Sequence, residues 1–494
     1  MAQAALDSLF RLPLHNNLTR KLMDFHLPIG GRGRGPIAGL ATLVLLPLTA
    51  CQTTRPDPAA ESSITQATAI GEPLTFLVEG GPTDEPAAGE MLTFIDATRR
   101  AVTTDPALQS ALARVRIAMA DADQSRLLPN PVLNFVLRWG PGKPQIEVSL
   151  AQDLIQAFQI PKKSSAADNR LRQAAADAVT VALDVTAEVQ ERYTAVQASD
   201  RLIPVLEGRL ELLRRLAEVA RKRLEGGEGI RGDVTTLDAQ RVELEVEIAD
   251  ARLRQREERL RLARLVGEPS SAAAWTLDTW APPSGTASNE AHWIEAALTH
   301  RPEVQSIVWQ LAALGDDYAL TRLLPWEGLG VGIDAQRDPD WFAGPSVSTP
   351  IPIFDMGQAR KARVTAEQIE ARHALTLSKR KVVEEVRIAH QGLAGNLANL
   401  NRVRQELIPL QQKRRDQAEQ AYRAGQTDVT ALFLAEQDLR ATQAKAIDIE
   451  RQTSVAMVRL GRAVGGPGVA SQLASRPSEG VGTLPDPTAK PQQR

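Results

Sequence analysis

Residues 126–135 read RLLPNPVLNF, and residues 322–331 read RLLPWEGLGV. Both copies run Arg-Leu-Leu-Pro and then break from a helical pattern into alternating apolar residues, 322 − 126 = 196 positions apart. Other landmarks keep the same offset. Pro106, Gln109, Ser110 and Asp121 return as Pro302, Gln305, Ser306 and Asp317, while Gly229 and Ala239 return as Gly425 and Ala435. VGEP at 266 and VGGP at 464 close the halves at an offset of 198. A near-constant offset through Pro and Gly landmarks marks two copies of one unit.

In each copy the alternating stretch predicts a strand pair. Leu133, Phe135 and Leu137 share one face, Ile146, Val148 and Leu150 share a face of the next strand, and Leu329, Val331 and Ile333 alternate with Gly330, Gly332 and Asp334. Each strand is about as long as a tilted membrane-barrel strand, so these nine apolar residues are expected to face lipid. Trp139, Trp341 and Phe342 sit near the turns, where an aromatic girdle would lie. Two hairpins give four strands, too few to close a barrel, and open strand edges are not tolerated in lipid. Several copies must therefore share one barrel; three would supply 3 × 4 = 12 strands.

The remainder reads as long helices, giving a mainly α fold with a small β part. A helix over 159–225 would be about 100 Å long at 1.5 Å per residue. Val185, Val189, Val196, Ile203, Leu206, Leu210, Leu213, Ala217, Ala220 and Leu224 form a coiled-coil seam, repeated by Val386, Leu393, Leu397, Leu400, Val403, Leu407 and Leu410. Pro204 and Pro409 predict a kink or local rewinding in each seam. Single helices are expected over about 91–127 and 290–323. The Pro/Ser-rich 267–288 reads as a linker. The boundaries that follow are a leader at 1–50, an extended linker at 51–90, repeats at 91–289 and 290–466, and a disordered Pro-rich tail at 467–494.

Bulk chemistry excludes several functions. Formal net charge is −2, which gives no electrostatic footprint for nucleic acid. The six histidines show no metal-ligand spacing, and no nucleophile elbow, Walker loop or Rossmann pattern occurs, so no enzyme, metal or cofactor is expected. The single cysteine, Cys51, ends RGRGPIAGLATLVLLPLTAC: two arginines, an apolar run too short to span a membrane, then small residues. Leu48-Thr49-Ala50-Cys51 resembles the lipobox of bacterial lipoproteins. That resemblance implies cleavage before Cys51, acylation of its thiol and, with Gln52 following, sorting to the outer membrane of a Gram-negative cell. Met23 is an alternative start.

The chain as a whole resembles the TolC-like outer-membrane efflux family. The motifs are LLPNPVL before the first hairpin, RPEVQS opening the second repeat, PIPIFDMGQARKA leaving the second hairpin and AYRAGQTDVTALFLAEQDL at the second helical tip. The resemblance implies a homotrimer with a shared twelve-stranded barrel and an α-helical tunnel. It also implies a passive exit duct for small molecules or metal ions, working with a periplasmic adaptor and an inner-membrane pump. The adaptor would dock at the tips, around Gly229, Thr235, Thr236, Ala239, Gly425, Thr430, Ala431 and Ala435. Tyr422, three residues before Gly425, matches the family's gate tyrosine. The acidic position six residues past the tip glycine is Thr235 or Ala431, so Asp233, Asp238 and Asp428 become the nearest acidic gate candidates. A non-conducting periplasmic scaffold or adaptor lipoprotein is the alternative, against which two helical hairpins and no lipoyl-like stretch argue. The same fold serving protein secretion is a further one.

Overall fold

The computed structural model describes residues 59–70, 76–77, 89–141, 144–267, 273–280, 289–337 and 340–475, all within the unit Arg55–Arg494. The leader, Cys51 and residues 476–494 lie outside the described residues.

The first half runs α2 (Phe94–Thr104), α3 (Pro106–Ser125), β2 (Val132–Arg138), β3 (Gln145–Asp153), α4 (Leu154–Glu225) and α5 (Arg231–Val266). The second runs α6 (Glu290–His300), α7 (Pro302–Leu320), β5 (Gly330–Arg337), β6 (Trp341–Ser348), α8 (Gln358–Arg402), α9 (Ile408–Arg423) and α10 (Val429–Ala463). Element order thus recurs across the halves. The two expected single helices are each split, at Asp105–Pro106 and at Arg301–Pro302. A proline at the first helical position loses no internal hydrogen bond, so it starts a new helix there. At the first split the Asp105 carboxylate caps it, accepting from the amides of Ala107 and Leu108 at 2.8 and 3.1 Å.

α4 contains 72 residues, about 108 Å of helix, and packs against both α5 and α10. Its seam is buried from Val185 to Ala217, with Leu206, Leu210 and Leu213 meeting Leu244 and Ile248 of α5. α8 and α10 close on Trp293 and Ala297 of α6 through Val386, Leu393, Ala456 and Leu460.

The two prolines act differently. The helix runs unbroken through Pro204, whereas a π turn, Val403–Leu407, separates α8 from α9 just before Pro409. A π turn takes one residue more than an α turn, which shifts the apolar phase by roughly 100°. Leu410 therefore leaves the predicted seam and is 63% exposed.

Three segments read as linker or tail are folded instead. The 51–90 linker contains α1 (Ala59–Thr68), whose Ile64 is wholly buried against α3 and α4. The 267–288 linker contains β4 (Thr276–Leu277), paired in parallel with β1 (Met91–Leu92). Beside β4, Trp275 is buried in the same core as Tyr193. The Tyr193 hydroxyl donates to the Asp278 carboxylate at 2.5 Å and lies 2.8 Å from the Leu92 carbonyl, fixing the small sheet to α4. The predicted tail begins with α11 (Pro467–Ser475), packed against α1, α6 and α10. In each case burial against the helical body holds a segment whose local composition is that of a loop.

Among the described residues, no helix is long and apolar enough to cross a membrane.

Candidate functional site

The four strands form one antiparallel sheet in the order β2-β3-β5-β6. Its register decides the faces, because directly opposed residues project to the same side. Leu133, Phe135 and Leu137 oppose Leu150, Val148 and Ile146. Leu150 in turn opposes Ile333, and Val148 opposes Ala335. Val331, Ile333 and Ala335 meet Val347, Pro345 and Ala343 of β6. Eight of the nine expected lipid-facing residues thus share one continuous face. Leu329 is the exception: it lies one residue before β5, its carbonyl accepting from the Leu154 amide at 3.0 Å.

The sequence implies a fourth strand but assigns none of its residues to this face, which Trp341, Ala343, Pro345 and Val347 of β6 complete. Gly344, Pro345 and an apolar Phe342 on the opposite parity hide its alternation; the pairing with β5 reveals it. The opposite face holds Asn134, Glu147, Ser149, Gly332, Asp334, Gln336, Ser346 and Ser348. Within this chain the apolar face is open: Leu133 is 67% exposed, Phe135 63% and Val347 70%. The outer edges of β2 and β6 have no strand partner among the described residues. Trp139, Trp341 and Phe342 are exposed at the turn end of the sheet, while Phe158, Ile351, Ile353 and Phe354 are exposed near its helical end.

At the far ends of the long helices, five-residue loops join α4 to α5 and α9 to α10. Both helices end in the same cap. The Glu228 amide donates to the Arg223 carbonyl and that of Gly227 to Leu224; likewise Gln426 donates to Ala421 and Gly425 to Tyr422. Gly227 and Gly425 hold the left-handed position, with φ of 80° and 70°. The structural counterpart of Gly425 is therefore Gly227, not Gly229, and the offset at the tips is 425 − 227 = 198. Gly229 has its own constraint, since a Cβ there would lie 2.7 Å from the Leu224 backbone nitrogen. With this register, the position six residues past the first tip glycine is Asp233, exposed in the first turn of α5, instead of Thr235.

The other tip residues separate clearly. Thr235 and Ala239 are exposed, Thr430 is half-buried and Tyr422 is 45% exposed. Ala435 is buried, part of an inward stripe of α10 with Leu439 and Thr442, so it cannot meet a docking partner. Asp428 is ion-paired with Arg223 and accepts from the Thr430 hydroxyl at 2.8 Å, joining the two tips. Asp238 is paired with Arg221 at 2.5 Å, and that hydrogen bond holds its carboxyl below the usual carboxylate range. Nothing in the sequence marks Arg223; only the juxtaposition of the tips reveals it.

No protein-family model matches the chain. It is 23% identical over 351 residues to the cobalt-zinc-cadmium resistance protein CzcC of Cupriavidus metallidurans, covering 69% of this chain and 82% of that protein. Its fold matches the outer membrane protein VceC of Vibrio cholerae with a TM-score of 0.63 at 16% identity, over 76% of this chain and 96% of VceC. It matches the outer-membrane channel OprN with a TM-score of 0.61 at 17% identity, over 81% of this chain and 99% of OprN. The fold of this chain is that of the TolC-like outer-membrane channels.

Proposed function

We propose that this chain is the outer-membrane exit duct of a tripartite efflux system, working passively as a homotrimer. One observation carries the reading: a four-stranded sheet with an exposed apolar face, and two edges that have no strand partner among the described residues, is joined to long helices, of which α4 is about 108 Å long. Unpaired edges and an open apolar face are both costly in water. In lipid the apolar face is satisfied, but the edges must still be paired. β2 and β6 run in opposite directions, so the β6 edge of one copy can continue antiparallel onto the β2 edge of the next. Three copies close a twelve-stranded barrel with the polar face inward. The helices then extend the wall into the periplasm.

Lipidation at Cys51 supplements the barrel as an anchor, and the acyl chain alone would bind only weakly. The tips at 226–230 and 424–428 serve as the docking end for a periplasmic adaptor, through Thr235, Ala239, Gly425 and Thr430. Tyr422, Asp233 and the Arg223–Asp428 pair line the entrance as its closing elements. The name of CzcC makes divalent metal cations the first cargo to assay.

The test is planar-bilayer conductance of the purified lipidated protein, with its mass in detergent measured alongside. Steady pores from a species of three chain masses are expected. A non-conducting monomer would contradict the proposal and leave the scaffold lipoprotein. Changing Cys51 to Ser should abolish acyl labelling and cleavage; normal processing of that variant would remove the lipoprotein claim.

A further inference from the structure

The polar face of the sheet contains few charges, and all but one of them have a local partner. Arg138 and Glu147 pair with each other at 3.1 Å. Asp153, at the helical end, caps α4: its carboxylate accepts from the Gln156 amide at 3.1 Å and from the Gly328 amide at 3.3 Å. Asp334 is different. It lies at the middle of β5, is exposed, and has no side-chain partner among the described residues.

Its neighbours leave it unobstructed. Directly opposite stand Ser149 on β3 and Gly344 on β6, and two residues earlier on its own strand is Gly332. A Cβ at Gly344 would meet nothing within 4 Å, so this side of the carboxylate is open space. A Cβ at Gly332 would come within 2.6 Å of the Leu150 carbonyl, so that position cannot accept a larger side chain without moving backbone. The result is a lone anionic group above a floor of small residues at mid-height of the sheet.

We infer that Asp334 sets a cation preference for the barrel lumen, contributing one carboxylate per copy to a ring of three. The inference rests on the shared-barrel reading, in which the polar face lines the lumen. Fixed charges on a pore wall concentrate counter-ions, here small mono- and divalent cations, and repel anions. The range of this effect is the Debye length, about 30 Å at 0.01 M salt and about 3 Å at 1 M. In a wide lumen the preference must therefore be strong in dilute salt and vanish in concentrated salt.

The experiment is the reversal potential of reconstituted pores across a potassium chloride gradient, for the wild type, Asp334→Asn and Asp334→Lys. In dilute salt the wild type should pass potassium over chloride. Each carboxylate raises local potassium and lowers local chloride about twofold each, about a fourfold change in the permeability ratio, taking Coulomb's law at ~10 Å in bulk water. Asp334→Asn should lose most of the preference and Asp334→Lys should invert it, with both differences collapsing near 1 M salt. Pores whose ion preference is the same in all three proteins would overturn the assignment while leaving the duct intact. Absence of pores from the wild type and both variants would instead remove the shared barrel, and this inference with it.

Discussion

The sheet and the helical body treat apolar residues in opposite ways. In the body, Leu206, Leu213 and Leu216 of α4 are buried within a single chain. In the sheet, Leu133, Phe135 and Val347 form an equally apolar surface that the same chain leaves open. The contrast teaches that the body carries its own core within one chain, whereas the sheet leaves an apolar face and two strand edges open, which the proposed barrel fills with lipid and further strands.

Substitutions can break this contrast on either side. The largest effect is expected in the body, where Leu206→Ala removes a fully buried side chain and should cost about 2–5 kcal/mol. A lowered denaturation midpoint by circular dichroism would record it. On the sheet, Phe135→Arg should cost about 2–4 kcal/mol of insertion free energy if its face meets lipid near the bilayer midplane. The matching substitution on the other face, Asn134→Arg, should be tolerated. Liposome insertion compares the two; a penalty at Asn134 with none at Phe135 would mean that the faces are inverted, and equal tolerance that neither face meets lipid.

A smaller effect is expected at the charge cluster between the halves. Arg301 pairs with Glu303 and Glu385, and Arg462 with Asp184 and Glu303. Burial pushes the Glu303 carboxyl up, but Arg462 and Arg301 outweigh it and hold the group below the usual glutamate range. A depressed folded-state value stabilises the fold above the unfolded pKa of about 4.3, and that stability is lost as pH falls through the lower folded value. Glu303→Gln should cost about 1–3 kcal/mol at neutral pH by leaving buried guanidinium groups unsatisfied. It should also flatten the loss of stability below pH ~4.3, as acid titration of the two proteins would show. Smallest in stability is the exposed Arg223–Asp428 pair, worth about 0–1 kcal/mol. Its removal in Asp428→Asn should leave the melting temperature nearly unchanged while raising the open fraction of reconstituted pores. An unchanged open fraction would remove the pair from the closing elements.

The periodic parts of this fold were legible in the sequence because burial there follows a simple period. The α4 seam, the strands β2, β3 and β5 and the apolar stripe from Leu133 to Ile333 obey one, whereas β6 hides its own. What was missed depends on contacts between distant segments. Trp275 and Ile64 occur in Pro-, Ser- and Ala-rich stretches and are ordered by the core they join. Leu410 was misplaced because the π turn changes phase without any composition signal beyond Pro409. The sequence points to Gly229 in place of Gly227 because the offset of 196 in the first helices becomes 198 at the tips. Ala435 illustrates the limit of motif transfer: a small residue near a tip suits a docking surface, yet its place in the helical period turns it inward. The Arg223–Asp428 pair was invisible for a simpler reason, since its members are 205 residues apart.

The central claim is that the β2 edge of one copy meets the β6 edge of another. Cysteine pairs test it directly, with Phe135→Cys on β2 combined in turn with Ala343→Cys, Pro345→Cys or Val347→Cys on β6. The native thiol at Cys51 is common to every variant, so the single variants control for it. After oxidation in native membranes, at least one pair should yield covalent dimers and trimers on denaturing gels, and neither single variant should. Monomers from every pair, in membranes where the protein is folded, would contradict the shared barrel.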